Sequence, residues 1–228
     1  MALLQQYKAD FITFLVRSEV LTFGDFTTKS GRKTPYFVNT GRYKKGSQLG
    51  ELGRYYAKAI SDKLGTDFDN LYGPAYKGIS LAVITSIALA DDHGHDVTVT
   101  YNRKEAKDHG EGGLLIGHQY EGNEKIVIVE DVITAGTSVR ESMALLKDKN
   151  DPNVLGVVVS VDRMERGSGE LSAVAEVKAN YGIDAFAIVT IEEVIAYLHN
   201  KEVDGKVYID DTMKANMEAY LEKYGQHV

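Results

Sequence analysis

Two acidic residues directly follow a very apolar run, and a short loop of small residues comes next. The run is residues 126–129, the acids are Glu130 and Asp131, and the loop is residues 134–138. Such a loop brings backbone N–H groups and hydroxyls to the start of a helix, where a phosphate binds favourably. Carboxylates repel a phosphate but accept hydrogen bonds from sugar hydroxyls. The segment therefore predicts a ligand like ribose 5-phosphate, although either feature alone favours an acidic turn before an ordinary helix cap.

Two further segments carry residues that suit an anionic ligand. Residues 73–78 read Gly-Pro-Ala-Tyr-Lys-Gly, in which glycines let the backbone approach a ligand and Lys77 supplies a point charge for phosphate oxygens. Many ordinary turns share this composition. Residues 103–113 end in glycines and contain three cations and a histidine: Arg103, Lys104, Lys107 and His109. A solvated hairpin is the plain interpretation, but a cationic segment this long in an acidic protein also suits a lid that closes over an anion.

Hydrophobic periodicity predicts the elements that must position these segments. It predicts helices over residues 2–19, 47–64, 77–91, 137–148, 170–181, 191–199 and 211–224. It predicts strands over residues 21–28, 35–40, 70–72, 97–101, 125–129, 154–161 and 184–189. Alternating strands and helices imply an α/β fold with a mostly parallel central sheet flanked by helices.

Ligands bind beyond the carboxyl ends of the strands in such sheets, which is where the three segments fall. We predict a single domain. Its α/β core spans residues 46–190, residues 1–45 form a small cap together with the chain ends, and C-terminal helices occupy residues 191–228.

The amino-acid composition limits which classes of function are possible. The chain has 228 residues, 26% of them charged, no cysteine and a net charge of −7. The absence of cysteine excludes disulfides, a thiolate nucleophile and a cysteine zinc site. The acidic balance argues against a nucleic-acid partner. Charged residues interrupt the apolar residues of the first twenty positions, which predicts neither a signal peptide nor a membrane span. We expect a soluble, cytoplasmic protein that does not act at a membrane.

The motifs resemble those of a known family. Residues 127–138 resemble the motif of type I phosphoribosyltransferases that binds phosphoribosyl pyrophosphate (PRPP). The string at residues 103–113 is similar to the catalytic loop of orotate phosphoribosyltransferases, and the purine and uracil enzymes of the same fold do not share it. Residues 28–31, 35–37 and 162–167 match as well, and the resemblance extends from the first helix to about Tyr197.

The resemblance implies the type I phosphoribosyltransferase fold and a reaction. PRPP would transfer its 5-phosphoribosyl group to N1 of orotate, giving orotidine 5'-monophosphate and pyrophosphate in de novo pyrimidine biosynthesis. Mg²⁺ would be the cofactor, held mainly by substrate and water rather than by protein ligands. Family members are homodimers in which the long loop reaches the partner's site. The family also implies a cis peptide bond between Ala75 and Tyr76.

Individual roles follow from the same resemblance. The expected catalytic residues are Lys77, Arg103, Lys104, Lys107, His109 and Asp131. The expected PRPP contacts are Lys29, Tyr76, Lys77, Arg103, Lys104, Lys107, His109, Glu130, Asp131, Val132, Ile133, Thr134, Ala135, Gly136, Thr137 and Ser138. The expected orotate contacts are Lys29, Tyr36, Phe37, Thr134 and Arg163.

Alternatives stay open beside these roles. An arginine fork grips carboxylates bidentately, which suits orotate, but Arg163 could instead pair with its neighbours Asp162 or Glu165. A phosphoribosyltransferase for a purine or uracil is the nearest rival function. A PRPP-sensing regulator without catalysis is a rival of another class, and the complete cationic loop counts against it.

Overall fold

Helices and strands alternate along most of the chain. The computed structural model describes residues 4–28, 31–107, 113–133, 136–167, 169 and 171–226, and at residues 106 and 107 it describes the backbone alone. The helices are α1 (Gln6–Arg17), α2 (Gly46–Leu64), α3 (Lys77–His93), α4 (Thr137–Lys147), α5 (Ala173–Tyr181), α6 (Ile191–Leu198) and α7 (Asp211–Tyr224). The strands are β1 (Leu21–Thr27), β2 (Lys33–Val38), β3 (Asn70–Gly73), β4 (Thr98–Lys107), β5 (Gly113–Gly117), β6 (Lys125–Val129), β7 (Asn153–Asp162), β8 (Asp184–Thr190), β9 (Glu202–Val203) and β10 (Lys206–Val207).

Six strands form the central sheet, in the order β5-β4-β3-β6-β7-β8. All neighbouring pairs are parallel except β4 and β5, which are antiparallel. Ile126, Val127, Ile128 and Val129 of β6 are fully buried, as the continuous apolar run predicts for a central parallel strand. The predicted α/β fold with a mostly parallel sheet is confirmed.

The topology selects one place for a ligand. From β3 the chain crosses to β4 on one side, and it later returns to β6 on the other side of β3. The loops after β3 and β6 therefore leave the same edge of the sheet in opposite directions, and the crevice between them is where such sheets bind ligands. These two loops are residues 74–76 and 130–136.

Smaller elements pack beside this sheet. Strands β1 and β2 form their own antiparallel two-stranded sheet, against which α7 packs. Helix α1 buries Phe11, Ile12 and Leu15 in the same apolar cluster as Leu71 of β3 and Val194 of α6. The edge of the sheet that carries the loops after β3 and β6 therefore lies beside a layer formed by the amino-terminal and carboxyl-terminal segments.

The predicted strand over residues 97–101 is too short, and the hairpin that the plain interpretation gives for residues 103–113 is present in its described part. Strand β4 continues to Lys107, and β5 runs back antiparallel to it from Gly113. The sequence gives little sign of how far the two strands extend, because the outer half of the hairpin reaches past the body of the sheet and buries few apolar groups. Leu115 is buried at the base of β5, whereas its neighbours on either side are only half-buried. The tip at residues 108–112 lies outside the described residues.

Other boundaries shift by a few residues. Strand β2 begins at Lys33 and ends at Val38 rather than spanning 35–40, and α5 begins at Ala173, capped by the Ser172 hydroxyl, rather than at 170. The short hairpin of β9 and β10 is absent from the prediction. None of the helices described has both the length and the apolar character that a membrane span requires. A cytoplasmic location stays a prediction from the sequence.

Candidate active site

A cation and a carboxylate meet across the crevice between the loops after β3 and β6. Lys77, the first residue of α3, places its Nζ 2.6 Å from Oδ2 of Asp131. Thr40 joins the pair, because its hydroxyl donates to the same Oδ2 at 2.8 Å and accepts from Lys77 Nζ at 2.9 Å. Lys77 is more than half exposed, while Asp131 is buried. The site thus presents a solvent-accessible ammonium group beside a fixed carboxylate.

Backbone contacts hold the two acids in place at the end of β6. Ser160 of β7 donates both its hydroxyl (2.7 Å) and its backbone N–H (3.0 Å) to the carbonyl oxygen of Asp131. The buried Tyr56 hydroxyl donates to the carbonyl oxygen of Glu130 at 2.8 Å. These bonds fix the main chain, so the position of the two carboxylates does not depend on their own charges.

The carboxyl group of Glu130 is unusually basic. Burial is the largest cause and raises its pKa from 4.5 to about 7, and the charge of Asp131 acts in the same direction. Hydrogen bonds from the Asp131 backbone N–H and from the Ser138 hydroxyl oppose the rise. At neutral pH the two acids therefore carry less than two full negative charges, which reduces the repulsion between them.

This pKa makes stability depend on pH. The folded protein holds the proton of Glu130 up to about pH 7, whereas the unfolded chain releases it near pH 4.5. Stability from this group is therefore full below about pH 4.5 and is lost as the pH rises through 7, by at most on the order of 3 kcal/mol. Glu130→Gln removes that dependence. Urea unfolding between about pH 4.5 and 8 measures it, and identical pH profiles for both proteins would contradict the raised pKa.

A turn of small residues leads from the acids into α4. Gly136 stands before the helix with a φ of 64°, a left-handed conformation that favours glycine. Thr137 and Ser138 then begin α4, and Arg140 donates through Nη2 to the Thr137 hydroxyl at 3.0 Å. Helix amino termini with hydroxyls and a cation attract phosphates. Thr134 and Ala135, which the sequence places in this turn, lie outside the described residues.

The loop after β3 packs so tightly that two of its positions require glycine. A Cβ on Gly78 would lie 2.7 Å from Pro74 Cδ and 2.9 Å from the Val129 carbonyl oxygen. A Cβ on Gly73 would overlap the Gly78 carbonyl group. These glycines let the loop pack against the end of β6, a different reason from the ligand approach that the sequence suggests.

The same loop contacts the hairpin strand β4. The Ala75–Tyr76 peptide bond is cis, as predicted. The backbone N–H of Ala75 donates to Oδ1 of Asn102 at 2.9 Å. Tyr76 is 72% exposed, and Lys104 Nζ lies 5.9 Å from the centre of its ring. The base of the cationic hairpin therefore stands beside the loop of its own chain.

A second set of predicted residues meets where β2 faces the end of β7. Arg163 binds Glu165 through Nε and Nη2, at 2.9 and 2.6 Å. Its guanidinium carbon lies 4.9 Å from the centre of the Tyr36 ring, which is fully buried. Phe37, on the opposite face of β2, is 37% exposed. Of the two rings, Phe37 is thus the one accessible to a ligand, whereas the buried Tyr36 packs against the Arg163 guanidinium.

Comparison with known proteins shows the family to which the chain belongs. Residues 39–190 match the model of the phosphoribosyl transferase domain family. An orotate phosphoribosyltransferase of Lachnoclostridium phytofermentans is 54% identical over 97% of this chain and 99% of its own, and one of Clostridium acetobutylicum is 53% identical with the same coverage. The chain belongs to the orotate phosphoribosyltransferase family. It is therefore a pentosyltransferase, and the resemblance of its motifs to this family is confirmed.

A solved structure agrees with this membership. The crystal structure of the Francisella tularensis orotate phosphoribosyltransferase superposes with a TM-score of 0.82 at 36% identity, and the match covers 95% of this chain and 99% of that one. The type I phosphoribosyltransferase fold is thereby confirmed.

The structure describes most of the residues expected to line an orotate phosphoribosyltransferase site. Lys77 contacts Asp131, Lys104 lies beside Tyr76, and Arg163 stacks on Tyr36. Arg103 is half-buried, Val132 is half-buried and Ile133 packs in the core cluster beside α4. Five expected residues lie outside the described residues or, for Lys107, outside the described side chains: Lys29, Lys107, His109, Thr134 and Ala135.

Two polar residues of the site, Thr40 and Asn102, escape the sequence prediction, which names Glu165 only as a rival partner of Arg163. Thr40 binds both Lys77 and Asp131, Asn102 holds the loop after β3, and Glu165 holds Arg163. An Asn-Thr-Gly turn at residues 39–41 is a signal for Thr40, but the predicted strand extends over it. Asn102 directly follows the predicted strand 97–101, which is a position where chemistry is expected in this class of sheet.

Proposed function

We propose that the protein transfers the 5-phosphoribosyl group of PRPP to N1 of orotate, with release of pyrophosphate, in pyrimidine biosynthesis. Membership of the orotate phosphoribosyltransferase family supports this function. The observation that carries it is the pairing of Lys77 with Asp131 across the crevice. Pyrophosphate and the ribose diol of PRPP need a cation and a carboxylate close together, and these two groups supply them.

Cleavage of the bond between C1 and pyrophosphate leaves positive charge on the ribose ring. Positioning and charge stabilisation are then the tasks of the protein. Glu130 and Asp131 accept hydrogen bonds from the diol, and their negative charge favours the cationic ring. Lys77 turns from Asp131 to the pyrophosphate when the ligand separates the ion pair. The remaining cations of the proposal, Arg103, Lys104 and Lys107, offset the charge of the leaving group, and His109 protonates or hydrogen-bonds the pyrophosphate.

The base lies on the other side of the ribose. Arg163 grips the carboxylate of orotate with Lys29, and the ring of orotate lies beside Phe37 and the backbone of β2. N1 then attacks C1. The 5-phosphate sits on the turn of residues 134–138. The hairpin of β4 and β5 closes over the site before reaction, because water would otherwise hydrolyse PRPP.

The acids of the site also fit magnesium. Mg²⁺ prefers oxygen ligands, keeps several waters, and binds through one or two carboxylates plus substrate phosphates. Within the described part of the chain no cluster of three or more metal-binding side chains occurs. PRPP and water would therefore supply most ligands of the ion, with Glu130 and Asp131 beside it rather than as its main ligands. When bound, Mg²⁺ would neutralise charge on the pyrophosphate.

Replacing Arg163 by Ala tests the assignment of the base. We expect kcat/KM for orotate to fall by about 100-fold, because the carboxylate loses a bidentate charged partner, while the low activity with uracil stays unchanged. Steady-state kinetics with both bases measure the ratio. Arg54→Ala is the matched control, since the Arg54 side chain is exposed and pairs with Asp92 at the surface. An unchanged ratio between the two bases in Arg163→Ala would contradict the role.

We further propose a homodimer in which the hairpin tip of one subunit completes the site of the other. Mixing Lys107→Ala with Lys77→Ala then restores about a quarter of wild-type activity. Half of the exchanged dimers are mixed, and each of those has one intact site of two, given a symmetric pair. Pyrophosphate release after subunit exchange measures it. If native mass spectrometry shows mixed dimers and no activity returns, the hairpin serves its own chain.

A further inference from the structure

One carboxylate organises the residues around the proposed base site. Glu165 accepts four hydrogen bonds. Two come from Arg163, one comes from the Tyr36 hydroxyl at 2.9 Å, and one comes from Arg32 Nη1 at 3.3 Å. The side chains of Arg163 and Glu165 are 13% and 16% exposed. Burial raises the pKa of Tyr36 well above its ordinary value, so that its hydroxyl stays a donor at working pH.

These contacts fix the orientation of the Arg163 guanidinium group. Glu165 Oε1 occupies the edge formed by Nε and Nη2, which sets the rotation of the group. The ring of Tyr36 lies against its face. A guanidinium has five N–H donors, and Glu165 uses two of them. The end with both Nη atoms is consequently presented in one orientation, as bidentate recognition of a planar carboxylate requires.

The C-terminal tail braces the segment that carries this pair. The backbone N–H of Arg166 donates to the Tyr224 carbonyl oxygen, and the N–H of Gln226 donates to the Met164 carbonyl oxygen, both at 2.9 Å. Residues 164–166 are thus tied to the chain just beyond α7 on both sides of Glu165. The tail therefore does more than cover the core.

Two aromatic residues of α7 extend the brace to β2. Tyr220 packs edge-to-face on Tyr36, with 5.8 Å between the ring centres. The guanidinium carbon of Arg32 lies 4.6 Å from the ring centre of Tyr224. Helix α7 thus also contacts Tyr36 and Arg32, the two partners of Glu165 that lie outside its own loop.

We infer that Glu165 is a positioning residue for base selection: it orients Arg163 toward the carboxylate of the base, and the C-terminal tail holds Glu165 in place. The inference rests on the proposed function, in which Arg163 binds orotate. Glu165 does not touch the substrate. Its effect should therefore be confined to the base and should pass through Arg163.

If Glu165 acted only through its charge, its replacement would change the KM for orotate in the opposite direction. Glu165 is an anion near the place proposed for the anionic base, and two arginines surround it. If it only offset their charge, Glu165→Gln would strengthen the attraction for orotate and lower its KM. A positioning role instead raises the KM, because the amide turns an NH₂ group toward Arg32 in place of an acceptor and binds Arg163 without a charge. Glu165→Asp separates the two roles further, since it keeps the charge but withdraws the oxygens by one methylene group.

The experiment measures KM for orotate, KM for PRPP and kcat in Glu165→Gln and Glu165→Asp. We expect the KM for orotate to rise about tenfold or more in both variants, because small misplacements of a binding group cost this much. The KM for PRPP should stay within about twofold. Glu222→Gln, on the exposed side of α7, is the matched control and should leave all three constants unchanged. A lower or unchanged orotate KM in Glu165→Asp would overturn the inference, as would equal rises in both KM values.

A double-mutant cycle with Arg163→Ala shows whether Glu165 acts through Arg163. In the Arg163→Ala background, Glu165→Asp should add no further rise to the KM for orotate. If the two effects multiply, Glu165 acts independently and the inference fails, while the role of Arg163 stands. If Arg163→Ala itself leaves the KM for orotate unchanged, the proposed base site is wrong and the inference falls with it.

Discussion

Asn in place of Asp131 lowers kcat/KM for phosphoribosyl transfer by about 100-fold or more and leaves the fold intact. The carboxylate accepts from Lys77 and Thr40 and, in our proposal, from the ribose diol. Each hydrogen bond to a charged group is worth roughly 1.5–3 kcal/mol, and the amide replaces one acceptor oxygen by a donor. The loss of two such bonds corresponds to at least the stated factor in rate.

The position of residue 131 does not depend on its charge. Its carbonyl oxygen stays bound to Ser160, and Asn has nearly the same shape as Asp. Circular dichroism and the thermal midpoint should therefore match those of the wild type. Asp67→Asn is a suitable control, because that side chain is 85% exposed and pairs with Lys125 at the surface. Normal turnover in Asp131→Asn would show that the diol role is wrong.

The middle of the central sheet was predictable because β3, β6 and β7 are buried on both faces. Residues 126–129 and 157–159 are apolar without interruption, a pattern that surface elements do not produce. The acids after β6 and the lysine after β3 were predictable for the same reason. Once the strands are known, the residues at their carboxyl ends are the candidates for chemistry.

The extent of the hairpin and the contacts of the base site were harder to predict from the sequence, because contacts between residues far apart in the chain decide them. The outer part of β4 is charged and pairs only with β5, so hydrogen bonding rather than burial specifies it. Arg163 was weighed between a ligand and a salt bridge with Glu165. The structure has the salt bridge, and the same contact is what orients the guanidinium in our inference.

Helix α7 illustrates a further limit of the sequence. Its apolar residues predict packing, and Met217 and Tyr220 are indeed buried. The contacts of Tyr224 with Arg166 and of Gln226 with Met164 join residues about sixty positions apart. No local sequence pattern predicts such pairs, so the contact between the tail and the base site is seen only in the structure.

Release of pyrophosphate from PRPP with a panel of bases tests the central claim most directly. With Mg²⁺ and orotate the protein should release one pyrophosphate for each orotidine 5'-monophosphate formed. Uracil, adenine and hypoxanthine should support rates lower by about 10⁴-fold, since a site built to bind a carboxylate leaves its charges unpaired with them. EDTA should abolish the reaction with orotate. Equal rates with orotate and uracil, or release only with a purine, would contradict the account.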